Sequence, residues 1–138
     1  MTTAVPEFLA LTGPTASGKT DLSIAVGEQM PIEIISMDSR QVYRSMDIGT
    51  DKVCAADRER VPHHGLDLVT PGERYSAGRF AREARVWIKE IHERSRVPVL
   101  AGGTGFFLRA ILDPIFSEPP LDPERLKELR AWLRLQSR

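Results

Sequence analysis

The sequence predicts an α/β fold, a parallel sheet flanked by helices. Three observations carry that expectation. Short apolar, strand-like runs alternate along the chain with helix-like runs, the pattern of a parallel sheet with right-handed crossovers. Polar, glycine-bearing loops follow three of the strand-like runs, at 13–20, 37–52 and 102–105. The first of these loops reads Gly13-Pro14-Thr15-Ala16-Ser17-Gly18-Lys19-Thr20, a complete G-x-x-x-x-G-K-S/T phosphate-binding signature set between a strand-like and a helix-like run. The expected fold is therefore P-loop NTPase-like. At 138 residues the chain holds one domain at most.

The first strand is expected over 7–12 and the first helix over 19–29, ended by Pro31. Glu33-Ile34-Ile35-Ser36 reads as a second short strand. Residues 37–52 are polar and irregular, too long for a tight turn, and loops of that kind are usually functional or disordered. A short helix is expected over 53–60. Residues 63–70 carry Leu66, Leu68 and Val69 and read as a third strand, closed by a Pro71-Gly72 turn. The clearest helix follows. Ser76 is a plausible N-cap, and Phe80, Ala84, Trp87, Ile88 and Ile91 recur at helical spacing as a core stripe. Val97-Pro98-Val99-Leu100-Ala101 is a buried strand whose proline points to an edge position or to the strand's start. Gly102-Gly103-Thr104-Gly105 turns tightly into a helix from Phe106 to Leu112. Pro114, Pro119, Pro120 and Pro123 mark a break. A final helix over 123–135 places Leu126, Leu129 and Leu133 on one stripe.

Composition narrows the function. Lysine plus arginine equals aspartate plus glutamate at 19 each, so no global field recruits nucleic acid, and any RNA contact must be local. Cys54 is the only cysteine, which excludes a disulfide framework and a cysteine zinc site and fits a reducing compartment. The segment Met1-Thr2-Thr3-Ala4-Val5-Pro6 lacks the pattern of a signal peptide, and no run approaches a membrane span. A cytoplasmic protein is expected.

In a parallel α/β sheet, ligands sit beyond the carboxyl ends of the strands, so the three polar loops are expected to converge on one site. In the first loop, backbone N–H groups and the helix opening at Lys19 attract an anion, Lys19 adds a point charge, and Thr20 offers a hydroxyl to magnesium. In the second, Asp38 directly follows a strand end. A carboxylate there either holds magnesium through water or accepts a proton from a nucleophile, and spacing does not choose between the two; the plainer alternative is that Asp38 only caps a turn. Ser39 and Gln41 suit hydrogen bonding to base edges. Arg40 and Arg44 read equally well as phosphate contacts and as solvated surface charges. In the third, backbone N–H groups and the Thr104 hydroxyl can serve a second anion or a substrate. His63 and His64 are adjacent, point apart, and have no companion metal ligands; they read as loop residues, with a role near substrate as the lesser alternative.

The chain resembles the N-terminal part of the tRNA dimethylallyltransferases, also called tRNA isopentenyltransferases. The likeness rests on residues 13–20, on Asp38-Ser39-Arg40-Gln41-Val42-Tyr43-Arg44 with Met46-Asp47-Ile48-Gly49-Thr50, and on Gly102-Gly103-Thr104-Gly105. His63-His64-Gly65-Leu66-Asp67 and Tyr75-Ser76-Ala77 add to it. The resemblance implies transfer of a dimethylallyl group from dimethylallyl diphosphate to the N6 amine of the adenosine 3′ of the tRNA anticodon. It implies that Gly13, Thr15, Ala16, Ser17, Gly18, Lys19 and Thr20 bind the diphosphate, with Mg2+ at Thr20. It further implies that Asp38 and Thr104 serve catalysis, and that Asp38, Ser39, Arg40, Gln41 and Thr104 contact the tRNA anticodon loop. Full members of that family continue well beyond position 138. The expected organisation is a core over 1–121 and, over 122–138, the start of a truncated helical tRNA-binding insertion. A chain ending there is expected to be weakly active or inactive on tRNA alone, and its final helix to expose an apolar stripe. Two other readings compete: an ATP-binding small-molecule kinase using Asp38 as base, and a non-catalytic nucleotide-binding remnant.

Overall fold

A computed structural model of the chain describes residues 7–113 and 122–136. Four strands form one parallel sheet: β1 (Leu9–Thr12), β2 (Ile32–Ser36), β3 (His63–His64) and β4 (Val97–Gly102), in the order β1-β4-β2-β3. The helices are α1 (Lys19–Gly27), α2 (Ala55–Arg60), α3 (Ala77–Glu93), α4 (Gly105–Leu112) and α5 (Pro123–Gln136). The expected parallel sheet flanked by helices is what the chain forms.

Local chemistry sets the helix ends. Gly18 takes the left-handed conformation, φ 82°, and α1 opens directly after it. The helix closes at Gly27 with Glu28 as its C-cap, two residues short of the expected end, and Pro31 follows. Ser76 caps α3 as expected, its hydroxyl oxygen accepting the Arg79 N–H at 3.1 Å. Pro123 is the first residue of α5, where its missing N–H removes no helical bond. The other three prolines of the predicted break, and the residue just before the predicted boundary at 122, lie outside the described residues.

Both faces of the sheet are covered, so its central strands are apolar nearly throughout. On one face, Ile24 of α1 packs with Ile32, Ile34, Val61 and Val99. On the other, the stripe Phe80, Ala84, Ile88 and Ile91 of α3 packs with Ile35, Met37, Leu100, Phe107 and Ile111. The rings of Phe80 and Phe107 stack with centroids 4.4 Å apart. Trp87, the fifth residue of the stripe, is half-buried and stacks on His64.

Three expectations are corrected. The strand over 63–70 is only two residues long. Gly65 at φ 82° and Asp67 at φ 54° turn the chain out of the sheet, and Leu68 and Val69 bond the backbone of Val42 instead. His63 and His64, read as loop residues, are that strand. Pro98 does not mark an edge, because β4 lies between β1 and β2. Val97 N–H donates toward β2, to the Pro31 carbonyl, so the nitrogen of Pro98 faces the β1 side. Pairing there begins only at Leu9↔Val99, and no ladder bond is lost. The proline marks the strand's start, the other half of the expectation.

On α5, Leu129 and Leu133 of the expected stripe are exposed, at 51% each, as is neighbouring Trp132 at 54%, while Leu126 is half-buried. No helix among the described residues is long and apolar enough to cross a membrane.

Glu33 is a buried charge near the start of β2. Its carboxylate accepts Arg94 Nε and Nη2 at 2.8 and 2.7 Å and His64 Nε2 at 2.7 Å. The Arg94 bonds chiefly, opposed by burial and helped by His64, pull its pKa from the ordinary 4.5 to about 2. A depressed carboxylate pKa stabilises the fold above the unfolded value and ceases to do so as pH falls through the folded one. Urea unfolding is therefore expected to show stability falling between pH 4.5 and about 2. Glu33→Gln removes that segment of the profile and costs roughly 2–3 kcal/mol at pH 7, allowing for solvent screening at half-exposed Arg94.

Candidate functional site

The loops at 13–20, 37–52 and 102–105 open at the carboxyl ends of β1, β2 and β4 and line one cleft of about 940 Å³. In the first loop Ala16 and Gly18 both have positive φ, 63° and 82°, which curls the backbone into an anion-binding concavity. Lys19 Nζ reaches back across it, donating to the Pro14 carbonyl at 2.5 Å and to Ser17 Oγ at 3.2 Å. These contacts hold the ammonium over the loop. Gly13, Thr15, Ala16, Ser17, Gly18, Lys19 and Thr20 all line the cleft.

The second and third loops are stitched to each other. Met37 N–H donates to the Ala101 carbonyl at 2.8 Å, Thr104 N–H to the Met37 carbonyl at 3.2 Å, and Ser39 N–H to Thr104 Oγ1 at 3.2 Å. Gly102 makes the seam possible: a Cβ there would lie 2.2 Å from the Met37 carbonyl oxygen. Asp38 sits inside it. Its Oδ1 accepts the N–H groups of Arg40 and Gln41 at 2.8 and 3.3 Å, a turn closed by its own side chain. Among the described residues its Oδ2 has no hydrogen-bond partner, so half the carboxylate positions the group and half remains for chemistry.

The remaining predicted residues divide. Ser39 and Arg40 line the cleft, and the Arg40 guanidinium has no partner among the described residues. Gln41 lines it too, but its amide is spent on the loop. Its Oε1 accepts the Ser36 hydroxyl at 2.9 Å, and its Nε2 donates to the Thr50 and Asp51 carbonyls at 3.1 and 3.2 Å. Arg44 is anchored, its Nε donating to the Asp67 carbonyl at 2.9 Å.

Sequence reasoning underweighted one feature and passed over another. His63 lines the cleft, its Nδ1–H donating to the Val61 carbonyl at 2.7 Å, which leaves Nε2 an unprotonated acceptor. Burial chiefly lowers its pKa, and Nε2 is a buried side-chain atom without a partner among the described residues. The other feature is an ionic cluster beneath the second loop. Lys52 Nζ contacts Asp47 Oδ1 at 2.9 Å and Asp67 Oδ1 at 2.6 Å, and Asp67 Oδ2 meets Arg58 Nη1 at 2.7 Å. Burial opposes the charge on Lys52, but the bonds from Asp67 and Asp47 outweigh it and hold its pKa above the ordinary value. Nothing local in the sequence separates this lysine from a solvated one.

Sheet and loop geometry together define an α/β protein of the P-loop class. The comparisons with known proteins are more specific. Residues 41–138 match the family model described as IPP transferase, and residues 6–63 the model described as isopentenyl transferase. The chain belongs to the IPP transferase family. It is 51% identical over 120 residues to a tRNA dimethylallyltransferase of Azoarcus sp. (strain BH72), an alignment covering 87% of this chain and 38% of that protein. It is 49% identical over 129 residues to the tRNA dimethylallyltransferase of Koribacter versatilis, covering 94% of this chain and 41% of the relative. Among solved structures, the full-length tRNA isopentenylpyrophosphate transferase from Bacillus halodurans superposes with a TM-score of 0.77 at 41% identity, over 94% of this chain and 43% of that one. A eukaryotic dimethylallyltransferase acting on tRNA gives a TM-score of 0.74 at 34% identity, over 86% of this chain and 31% of that one. The chain thus spans about two fifths of the length of the curated relatives it matches.

A methyl group at Gly102 cannot be housed without moving the Met37 carbonyl. Gly102→Ala is expected to destabilise the chain by more than about 2 kcal/mol, seen as a thermal midpoint lowered by at least about 5 °C. Gly72→Ala, where a Cβ meets nothing within 4 Å, is the control and shifts it little.

Proposed function

We propose that this chain carries the donor site and proton acceptor of a tRNA dimethylallyltransferase. The observation that carries the reading is the placement of a half-used carboxylate, Asp38, in the same cleft as the phosphate loop. The diphosphate of dimethylallyl diphosphate lies in the loop at 13–20, bound by backbone N–H groups and Lys19. The N6 amine of the adenosine 3′ of the anticodon attacks the allylic carbon. The C–O bond to the diphosphate breaks, and the N6 proton passes to Asp38. An exocyclic adenine amine is a weak nucleophile, so an adjacent carboxylate acceptor is what the step needs. Thr104 supports the acceptor through Ser39, and Ser39 and Arg40 border the path of the RNA. The base must be turned out of the anticodon loop to reach this depth, at a cost of about a few kcal/mol. We assign the activity to the cytoplasm.

The donor set fits magnesium. Among the described residues no three carboxylate, histidine or cysteine groups converge on a metal site. A single hydroxyl, that of Thr20, beside a diphosphate suits a cation that keeps its waters and binds substrate phosphates. Mg2+ supplies charge neutralisation on the leaving diphosphate.

Calorimetry with dimethylallyl thiodiphosphate and with ATP, each with magnesium, tests the reading. The prenyl analogue is expected to bind preferentially, and Lys19→Ala to weaken it at least tenfold. Preferential ATP binding returns the kinase reading, and binding of neither ligand removes the donor-site assignment. In a transfer assay, Asp38→Asn is expected to keep analogue affinity within about threefold and to lower the transfer rate about 10²–10⁴-fold.

A further inference from the structure

We propose that Lys52 is a positioning residue, clamping residues 41–51 from beneath so that Asp38 is held at the cleft; this rests on the role given to Asp38 above. The Lys52 side chain is 1% exposed, and its ammonium has three acceptors: Asp47 Oδ1 at 2.9 Å, Asp67 Oδ1 at 2.6 Å and the Tyr43 carbonyl at 2.6 Å. Three N–H donors meet three acceptors, so the group is fully used. Each acceptor ties down a different piece of chain. Tyr43 lies just after the turn that Asp38 closes, Asp47 lies at the far end of the loop, and Asp67 lies on the segment leaving β3.

Asp67 spreads the constraint. Its N–H donates to the Gln41 carbonyl at 3.1 Å, its carbonyl accepts Arg44 Nε at 2.9 Å, and its second carboxylate oxygen takes Arg58 Nη1 at 2.7 Å. The loop from 41 to 44 is thereby laid beside 67–69 as an irregular extra strand, with Arg44 N–H donating to Val69 at 2.8 Å and a bridge between Tyr43 and Val69. From above, Gln41 Nε2 holds the Thr50 and Asp51 carbonyls at 3.1 and 3.2 Å. The loop is fixed on both sides; on the lower one the backbone bonds to 67–69 reach only 41–44, and Lys52 is what joins Asp47 to them. Without Lys52, Asp67 keeps Arg58 and the exposed Asp47 keeps solvent, so what is lost is the buried link that joins Tyr43, Asp47 and Asp67. The phosphate loop has no bond to this cluster among the described residues, so donor binding is independent of it.

Hydrogen exchange on the purified chain tests the clamp. In Lys52→Met the amides of Arg40, Gln41 and Arg44 are expected to exchange at least tenfold faster, with those of Val99 and Ala101 in β4 unchanged. Affinity for dimethylallyl thiodiphosphate stays within threefold. The prenyl-transfer kcat, taken per analogue-binding site, falls at least tenfold at unchanged KM for dimethylallyl diphosphate. Normalising to analogue-binding sites separates positioning from loss of folded protein. Unchanged exchange at Arg40 and Gln41, or equal acceleration in β4, overturns the proposal. So does an unchanged kcat per site. If Lys52→Met does not fold, Asp67→Asn, which keeps the volume and removes the charge, is judged by the same readings. A wild-type chain that binds no prenyl analogue sinks the functional reading, while the exchange pattern still decides the clamp.

Discussion

At the carboxyl end of β4, the backbone of Gly102 lies against the carbonyl of Met37, closer than any side chain would permit. Most of the cleft depends on that contact. It lets the strands at the centre of the sheet run in register to their ends, with Ser36 opposite Ala101. It brings Thr104 within reach of both Met37 and Ser39. It also sets Gly103 beside the carbonyl of Gly13, so the third loop borders the phosphate loop as well as the loop of Asp38. The second and third loops are fixed to each other by hydrogen bonds, and the first is set beside them through the β1–β4 ladder. Such a frame holds a carboxylate at one position with little rotamer freedom, which is what a proton acceptor needs.

The molecule buries charge at both ends of its sheet, with different consequences. Near the start of β2, Glu33 joins the end of α3 to β3 through Arg94 and His64. That network ties rigid elements together and expresses itself as stability. At the opposite end, Lys52 and Asp67 tie an irregular loop to the frame. Their contribution is less to net stability, since burying both ions offsets much of their attraction, than to choosing one loop conformation among many. The same chemistry therefore does structural work below the sheet and conformational work above it.

How much of this was legible in the sequence follows from how local each feature is. The phosphate loop, the Ser76 cap and the stripe of α3 are written in contiguous or helically spaced residues, and each was readable. Convergence of the loops followed from parallel topology alone. The misread features all depend on partners remote in sequence. Pro98 left an edge position and a strand start both open, because the strand pattern does not reveal that pairing with β1 begins only at Val99. The third strand was overextended because Leu66, Leu68 and Val69 are apolar for another reason: the last two line up with the loop at 42–44. The amide of Gln41 suited a base edge by type, yet Ser36, Thr50 and Asp51 claim it. The Lys52–Asp67 pair spans 15 positions with no periodicity to announce it.

β1 is the outermost described strand, so the segment feeding the phosphate loop is laddered on one side only, to β4. Ligand occupancy and sheet integrity are therefore thermodynamically linked. On the proposed reading, a diphosphate held by residues 13–20 would select states in which β1 is docked on β4, and would add RT ln(1 + [L]/Kd) to the free energy needed to open that seam. The anion would then act as a rivet between the two described strands, and saturation with it would become a property of the sheet as much as of the cleft.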